Sequence, residues 1–153
     1  MPFEIPADFK RLQLRPNPYV DACGPLYGRR DGDKLVRGLR VEPRHCNPGG
    51  SCHGGMLSTL ADMLLVLGAN VQSGQQRYML TVNLSSDFIG PAPEGSWIEG
   101  RLEVLRTTRS LVFCQGLLAA DGQTVLRFSG ITKPSGVDMP EFTLARYLGE
   151  AEG

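Results

Sequence analysis

The segment Asn47 to Asp62, NPGGSCHGGMLSTLAD, holds two features able to do chemistry. Gly54 and Gly55 stand where an apolar run begins, and a helix starting there leaves backbone N–H groups unpaired beside the positive end of its dipole. Without a Cβ, a glycine pair lets a ligand oxygen approach the backbone, so the position suits an anion or a developing oxyanion. It would equally serve as a flexible helix start. The second feature is Asp62, a carboxylate inside the apolar run with no Lys or Arg at positions 58, 59, 65 or 66 to pair with it. A carboxylate among apolar groups is costly unless it is hydrogen-bonded, paired or open to a cleft. Ser58, Thr59 or a loop N–H could satisfy it; otherwise its environment is that of a general base or nucleophile.

Neighbouring residues offer less. His53 alone fits a hydrogen-bonded structural histidine, and Asn47 in a Pro-Gly loop fits a turn. His45-Cys46 and Cys52-His53 lack the short cysteine spacing and the second ligand pair of a zinc knuckle, so no metal is expected. Ser51 is not framed as a G-x-S-x-G elbow, and no Lys-Ser/Thr follows the glycines, which sets aside serine hydrolase and nucleotide-loop readings. Cys52 as a nucleophile would need a base that His53, its immediate neighbour, is poorly directed to supply.

The elements that must position these residues follow from period and punctuation. A short helix is expected over 7–14, ended by Pro16 and Pro18, as part of an N-terminal helical segment over 1–20. Residues 26–30 and 35–41 flank Asp31-Gly32-Asp33 as a hairpin, and EPRHCNPGGSC is loop. Over 56–71, apolar side chains at 56, 57, 60, 61, 64, 65, 67 and 71 wrap most of a helix, which predicts burial on all sides. Tyr78, Leu80, Val82 and Leu84 then alternate with Thr81, Asn83 and Ser85, the pattern of a strand with one wet face. Strands over 97–105, 111–119 and 124–132 follow, with Asp121-Gly122 as a hairpin turn and a short helix within 142–148. One long helix against antiparallel strands is an α+β arrangement. A single sheet cannot cover that helix on every side, so either the sheet curls around it or a second subunit helps.

Composition narrows the function classes. The chain has 153 residues, fitting one domain over 1–153, with 16 basic and 16 acidic side chains. That balance lacks the basic excess of a nucleic-acid binder, so the expected partner is a small molecule. The apolar run carries Asp62 near its middle, so no membrane association is expected. MPFEIPADFKRLQL lacks the basic and apolar regions of an export signal, and with four cysteines this suggests a cytoplasmic protein with free thiols.

Taken together, Asn47, His53-Gly54-Gly55 and Leu60-Ala61-Asp62 resemble the signature of the phenylacetyl-CoA thioesterase (PaaI-like) group of hotdog-fold enzymes. TVNLSSDFIGPA from Thr81 to Ala92 and the strands from Trp97 to Thr132 extend the resemblance over roughly residues 24–133, leaving a C-terminal tail at 134–153. The resemblance implies a hotdog fold, in which a curved antiparallel sheet of five to six strands wraps a long central helix. It implies an acyl-CoA substrate, no cofactor, and an assembly of two subunits or a dimer of dimers. It further implies Asp62 as nucleophile or general base, the Gly54 N–H as polariser of the thioester carbonyl, and His53 and Asn47 as positioners of thioester or water. Thr81 would assist the carboxylate, with Gly55 beside the bound thioester. Arg106, Arg109 and Ser110, in the turn-like TTRS region, are candidates for the polyanionic CoA, as against an ordinary solvated turn; Arg40 and Arg44 are alternatives. Met63, Leu67 and Phe88 are candidate linings of the acyl pocket, with aryl and aliphatic acyl groups both open.

Geometry adds an independent constraint. Gly54 and Asp62 are eight residues apart, about 12 Å of helix rise, whereas a nucleophile must come within about 3–3.5 Å of its carbonyl carbon. The two can serve one carbonyl only if separate subunits contribute them. Rival readings are an acyl-CoA binder without hydrolysis, a hotdog dehydratase, which would want a histidine on the helix, and a purely structural dimerisation module.

Overall fold

The computed structural model describes residues 4–150. Its elements, in chain order, are β1 (Lys10–Arg11), α1 (Pro18–Cys23), β2 (Tyr27–Asp31), β3 (Lys34–Arg40), a 3-10 turn (Pro43–His45), α2 (Gly54–Ser73), β4 (Arg77–Phe88), β5 (Trp97–Thr107), β6 (Val112–Ala120), β7 (Gln123–Asp138) and α3 (Leu144–Tyr147). The strands form one antiparallel sheet of seven in the order β1-β2-β3-β5-β6-β7-β4, with α2 packed across one face. This is the expected α+β architecture with a long central helix. The sheet exceeds the expected five to six strands because a two-residue β1 is added at one edge.

Helix α2 has clear ends. His53 caps its N-terminus through the side chain, and Gly74 closes it in the left-handed conformation at φ 69°. Leu60, Ala61, Leu64 and Leu65 are fully buried against the sheet. Glycines allow the close approach: a Cβ on Gly100 would lie 2.9 Å from Leu64 Cδ2, and one on Gly130 only 2.5 Å from Leu65 Cδ2. Burial is not complete around the circumference, however. Ser58, Thr59, Asp62, Met63 and Val66 are only half-buried within the chain, so its own sheet does not cover the helix on this face.

The N-terminal segment departs from the helix expected there. Residues 7–14 form no helix: Lys10 and Arg11 pair with Gly28 and Tyr27, and Leu12 packs into the core beside Leu35. Pro18 begins a helix instead of ending one. Asn17 Oδ1 accepts hydrogen bonds from the Tyr19 and Val20 N–H groups, and proline is tolerated in a first turn because its missing N–H would have lacked a partner there. Both ends of the chain join the main core, through Leu12 and Val20 on one side and Leu144, Tyr147 and Leu148 on the other. The Gln13 N–H donates to the Tyr147 carbonyl at 2.8 Å.

Strand β4 corrects a second expectation. Its apolar row, Tyr78, Leu80 and Val82, is 49%, 45% and 56% exposed, while Met79 is buried and Thr81 faces α2. β4 is an edge strand, paired with β7 on one side and with no strand of its own chain on the other. The register shifts between Thr81 and Asn83, the mark of a bulge, so Leu84 rather than Asn83 continues the helix-facing side.

The packing under α2 yields a direct test. Leu64→Ala should lower stability by about 2–5 kcal/mol in urea unfolding, and a loss below about 1 kcal/mol would contradict rigid packing of helix on sheet.

Candidate active site

The loop before α2 is built from its own backbone and side chains. Cys46 and Cys52 face each other in an isolated antiparallel bridge, flanked by Asn47 N–H to the Ser51 carbonyl and His53 N–H to the His45 carbonyl, each 2.8 Å. Asn47 Oδ1 accepts from the Gly49 N–H at 2.9 Å and the Ser51 N–H at 3.3 Å, a side-chain turn that fixes the loop. His45 is buried with both ring nitrogens engaged: Nδ1 accepts from the Glu42 N–H at 3.0 Å, and Nε2 donates to the Cys23 carbonyl at 2.6 Å.

At the helix start, three of the first four N–H groups have partners. Gly55 donates to His53 Nδ1 at 2.8 Å, and Met56 and Leu57 donate to the His53 carbonyl at 2.9 and 3.0 Å. Gly54 N–H has no partner among the described residues. His53 thus acts first as a cap, and by occupying its neighbours it leaves Gly54 as the amide available to an incoming oxygen. A Cβ at Gly54 would sit 3.3 Å from the Phe88 ring, so Phe88, half exposed, frames this end of the helix.

Two turns further along, Asp62 is half-buried and Oδ1 accepts a 2.6 Å hydrogen bond from Thr81 Oγ1 on β4. Its other oxygen makes no hydrogen bond with the described residues. Ser58 and Thr59 do not satisfy it: Thr59 Oγ1 donates to the Gly55 carbonyl at 2.9 Å and meets the Tyr19 hydroxyl at 2.7 Å. A carboxylate fixed by a hydroxyl at one oxygen keeps the other for a proton or an electrophile.

Asp62 and Thr81 open onto a cavity of about 810 Å³. Met63 and Leu67, both expected as linings, border it, together with Tyr19, Phe142 and Tyr147. Phe88, also expected, lies instead at the Gly54 end of the helix. Sequence reasoning missed the residues from the two chain ends, since they fall outside the segment with recognisable spacing. The Asn17-Pro18 pair was the available signal for α1 and hence for Tyr19.

The basic candidates separate into two groups. Arg40 and Arg44 serve the framework: Arg40 lies 5.1 Å above the Trp97 ring and donates to the Gly95 carbonyl, and Arg44 pairs with Glu42 at 2.8 Å and donates to the Ala22 carbonyl. Arg106, Arg109 and Ser110 are exposed at the tip of the β5–β6 hairpin, whose turn is held by Thr108 and Leu111. Thr107, Val112, Thr132 and Thr81 pair in one row across the sheet. Three strand spacings, roughly 14 Å, therefore separate the hairpin tip from the Asp62 cavity of the same chain.

The family model of the thioesterase superfamily matches residues 49–126. A candidate esterase of Pseudomonas aeruginosa is 36% identical over 128 residues, covering 83% of this chain and 95% of that one. Among solved structures, the Escherichia coli PaaI protein from the phenylacetic acid degradation operon superposes with a TM-score of 0.65 at 23% identity, over 71% of this chain and 78% of its own. A mutant of the Thermus thermophilus phenylacetic acid degradation protein PaaI gives 0.68 at 22%, over 78% and 100%. A Streptococcus pneumoniae protein described as a hypothetical thioesterase, solved with coenzyme A, gives 0.64 at 17%, over 74% and 88%. The structural matches carry the hotdog fold alone. With the family model spanning just over half its length and the Pseudomonas relative matched almost end to end, this chain belongs to the thioesterase superfamily, a hydrolase family.

Proposed function

We propose that this protein is a homo-oligomeric acyl-CoA thioesterase in which each active site combines Asp62 of one subunit with Gly54 of another. The observation that carries the reading is the paired geometry of α2: a free amide at Gly54, and a carboxylate at Asp62 fixed by Thr81 over a largely apolar cavity. The thioester carbonyl oxygen accepts from the Gly54 N–H, which steadies the charge that develops during attack. Asp62 either takes a proton from the attacking water or attacks the carbonyl carbon itself, giving an anhydride that water then opens. The carbon–sulfur bond breaks, coenzyme A leaves as the thiolate and takes up a proton, and the acid is released. Thr81 orients the carboxylate. His53 holds the helix start, with Nδ1 on the Gly55 N–H and Nε2 free to meet the thioester or the water. Asn47 contributes by shaping the loop that presents His53, since its side-chain oxygen is committed to Gly49 and Ser51.

The partner subunit in this reading docks through β4. That edge strand offers unpaired backbone groups and the exposed row Tyr78, Leu80 and Val82, a combination that favours strand pairing with a second copy. Pairing there also brings a second chain toward the half-covered face of α2, beside Asp62. Arg106, Arg109 and Ser110 take the phosphates of coenzyme A from the far side of the interface. Support for a CoA thioester comes from the Streptococcus pneumoniae protein solved with coenzyme A. No cofactor enters the chemistry, and the four unpaired cysteines accord with a cytoplasmic setting.

Release of free thiol from short-chain, long-chain and aryl acyl-CoAs tests the activity. Asp62→Asn should lower kcat/KM by roughly 10²–10⁴-fold with an unchanged unfolding transition; wild-type rates no better than buffer across the panel would instead favour an acyl-CoA binder without hydrolysis. Mixed dimers of Asp62→Ala and Gly54→Pro subunits should recover part of the activity, because a proline in the first helical turn removes the N–H while tolerating the helix; no recovery would contradict the shared site. Leu80→Lys should shift the protein toward monomer in light scattering and lower activity with it, whereas an undisturbed assembly would rule out β4 as the contact. Finally, burial pushes the Cys52 thiol up to about 12, so it remains a protonated, weak nucleophile. Cys52→Ala should therefore keep at least roughly half the wild-type rate, and loss of activity with an intact fold would reinstate a thiol mechanism.

A further inference from the structure

Two cysteines stand opposite each other at the foot of the loop that leads into His53 and Gly54, and the chemistry above uses neither. Cys46 and Cys52 form the isolated antiparallel bridge that closes residues 47–51. The hydrogen bonds flanking the pair run from Asn47 N–H to the Ser51 carbonyl and from His53 N–H to the His45 carbonyl. The N–H groups of the cysteines turn elsewhere, Cys46 to the Pro43 carbonyl at 3.1 Å and Cys52 to the Ala92 carbonyl at 2.8 Å. Cys46 and Cys52 are therefore a non-hydrogen-bonded pair. That is the closer of the two antiparallel pairings, with Cα atoms about 4.5 Å apart and both side chains on one face. A disulfide accepts Cα separations of about 4.4–6.8 Å, so the backbone already holds the pair within bridging range.

Both side chains are free thiols. Cys46 Sγ donates to the Glu42 carbonyl at 3.4 Å and Cys52 Sγ to the His53 carbonyl at 3.8 Å, weak contacts that a rotation about χ1 releases. Cys46 is close enough for its charge to oppose ionisation of Cys52, whose thiol burial already pushes up to about 12. Burial, and behind it the Glu94 charge, raises Cys46 as well, so the pair stays reduced until an oxidant is present. On its far side the loop is held by the Ser51–Pro93 bridge and by the Glu94 N–H on the Gly50 carbonyl at 3.0 Å. Only two residues separate Cys52 from Gly54, so a bond between the cysteines would fasten the segment from which α2 starts.

We propose that Cys46 and Cys52 are a reversible disulfide site, closed by a peroxide oxidant, that ties the foot of the loop 47–51 and holds the start of α2 in place. Cys46, the more exposed thiol, loses its proton and its sulfur attacks one oxygen of hydrogen peroxide. The O–O bond breaks, leaving Cys46 as the sulfenic acid and releasing one water. The Cys52 sulfur then attacks the Cys46 sulfur as its own proton departs; the S–S bond forms, the S–O bond breaks, and a second water leaves. Two thiols lose two electrons, and one peroxide is reduced to two waters. A dithiol reductant reverses the bond by thiol exchange.

The test uses the full chain treated with hydrogen peroxide, then alkylated, digested and read by mass spectrometry beside its thermal unfolding. A peptide linking Cys46 to Cys52 should appear and vanish with dithiothreitol. Closing so short a loop at native geometry should raise the Tm by about 5 °C. Cys46→Ser and Cys52→Ala should each abolish both the linked peptide and the Tm shift; if one fails to fold, the other carries the comparison. Linkage of Cys46 to Cys23 or to another chain, sulfinic acid in place of a bond, or a linked protein with an unchanged or lower Tm would each overturn the site. These readouts need no thioester. In the hydrolysis assay the oxidised protein should keep its activity, because His53 and Gly54 stay where they are; activity lost on oxidation in wild type but not in Cys46→Ser would overturn the holding role.

Discussion

A thioester carbonyl can be gripped and attacked only by groups a few ångströms apart, and α2 holds its two candidate groups at opposite ends of a rigid separation. About 12 Å of helix rise lies between Gly54 and Asp62, and Leu60, Ala61, Leu64 and Leu65 lock that interval against the sheet. The helix cannot fold to close the gap. The proposed sharing of a site between chains answers this constraint, and it gives a meaning to the exposed β4 edge and to the half-covered face around Asp62. Each pole then has its own support: His53 caps the amide end without using Gly54, and Thr81 anchors one carboxylate oxygen while leaving the other.

The sheet and the chain ends divide the remaining work. Strands β4 to β7 form the floor that fixes α2, whereas the terminal segments contribute part of the cavity beside Asp62. Tyr19 comes from α1 and Tyr147 from α3, each held to the core by neighbours such as Val20 and Leu144. These segments lie outside the region matched by the family model, whereas Asp62, Met63, Leu67 and Thr81, which border the same cavity, lie within it.

How much of this could be read from the sequence depends on how local the cause was. The helix was legible because its apolar spacing persists over four turns, and the hairpins because Gly32 and Gly122 adopt positive φ in short turns. The paired interest of Gly54 and Asp62 was legible for the same reason, being a property of one helix. Non-local causes were not. Residues 7–14 form no helix because β2 offers Lys10 and Arg11 a pairing partner, and Pro134 sits inside β7 opposite Met79. On β4, alternation identified a strand but not which side meets the helix: Tyr78 and Leu80 look outward while Thr81 reaches Asp62, a fact set by edge position and the bulge near Val82.

The central claim is tested most directly by a crystal structure with a non-hydrolysable acyl-CoA analogue whose ketone replaces the thioester. The ketone oxygen should accept a hydrogen bond from the Gly54 N–H of one protomer, with the Asp62 carboxylate of its neighbour poised over the carbonyl carbon or over a water directed at it. A bound ketone approached by Gly54 and no Asp62 from a neighbouring protomer would contradict the account.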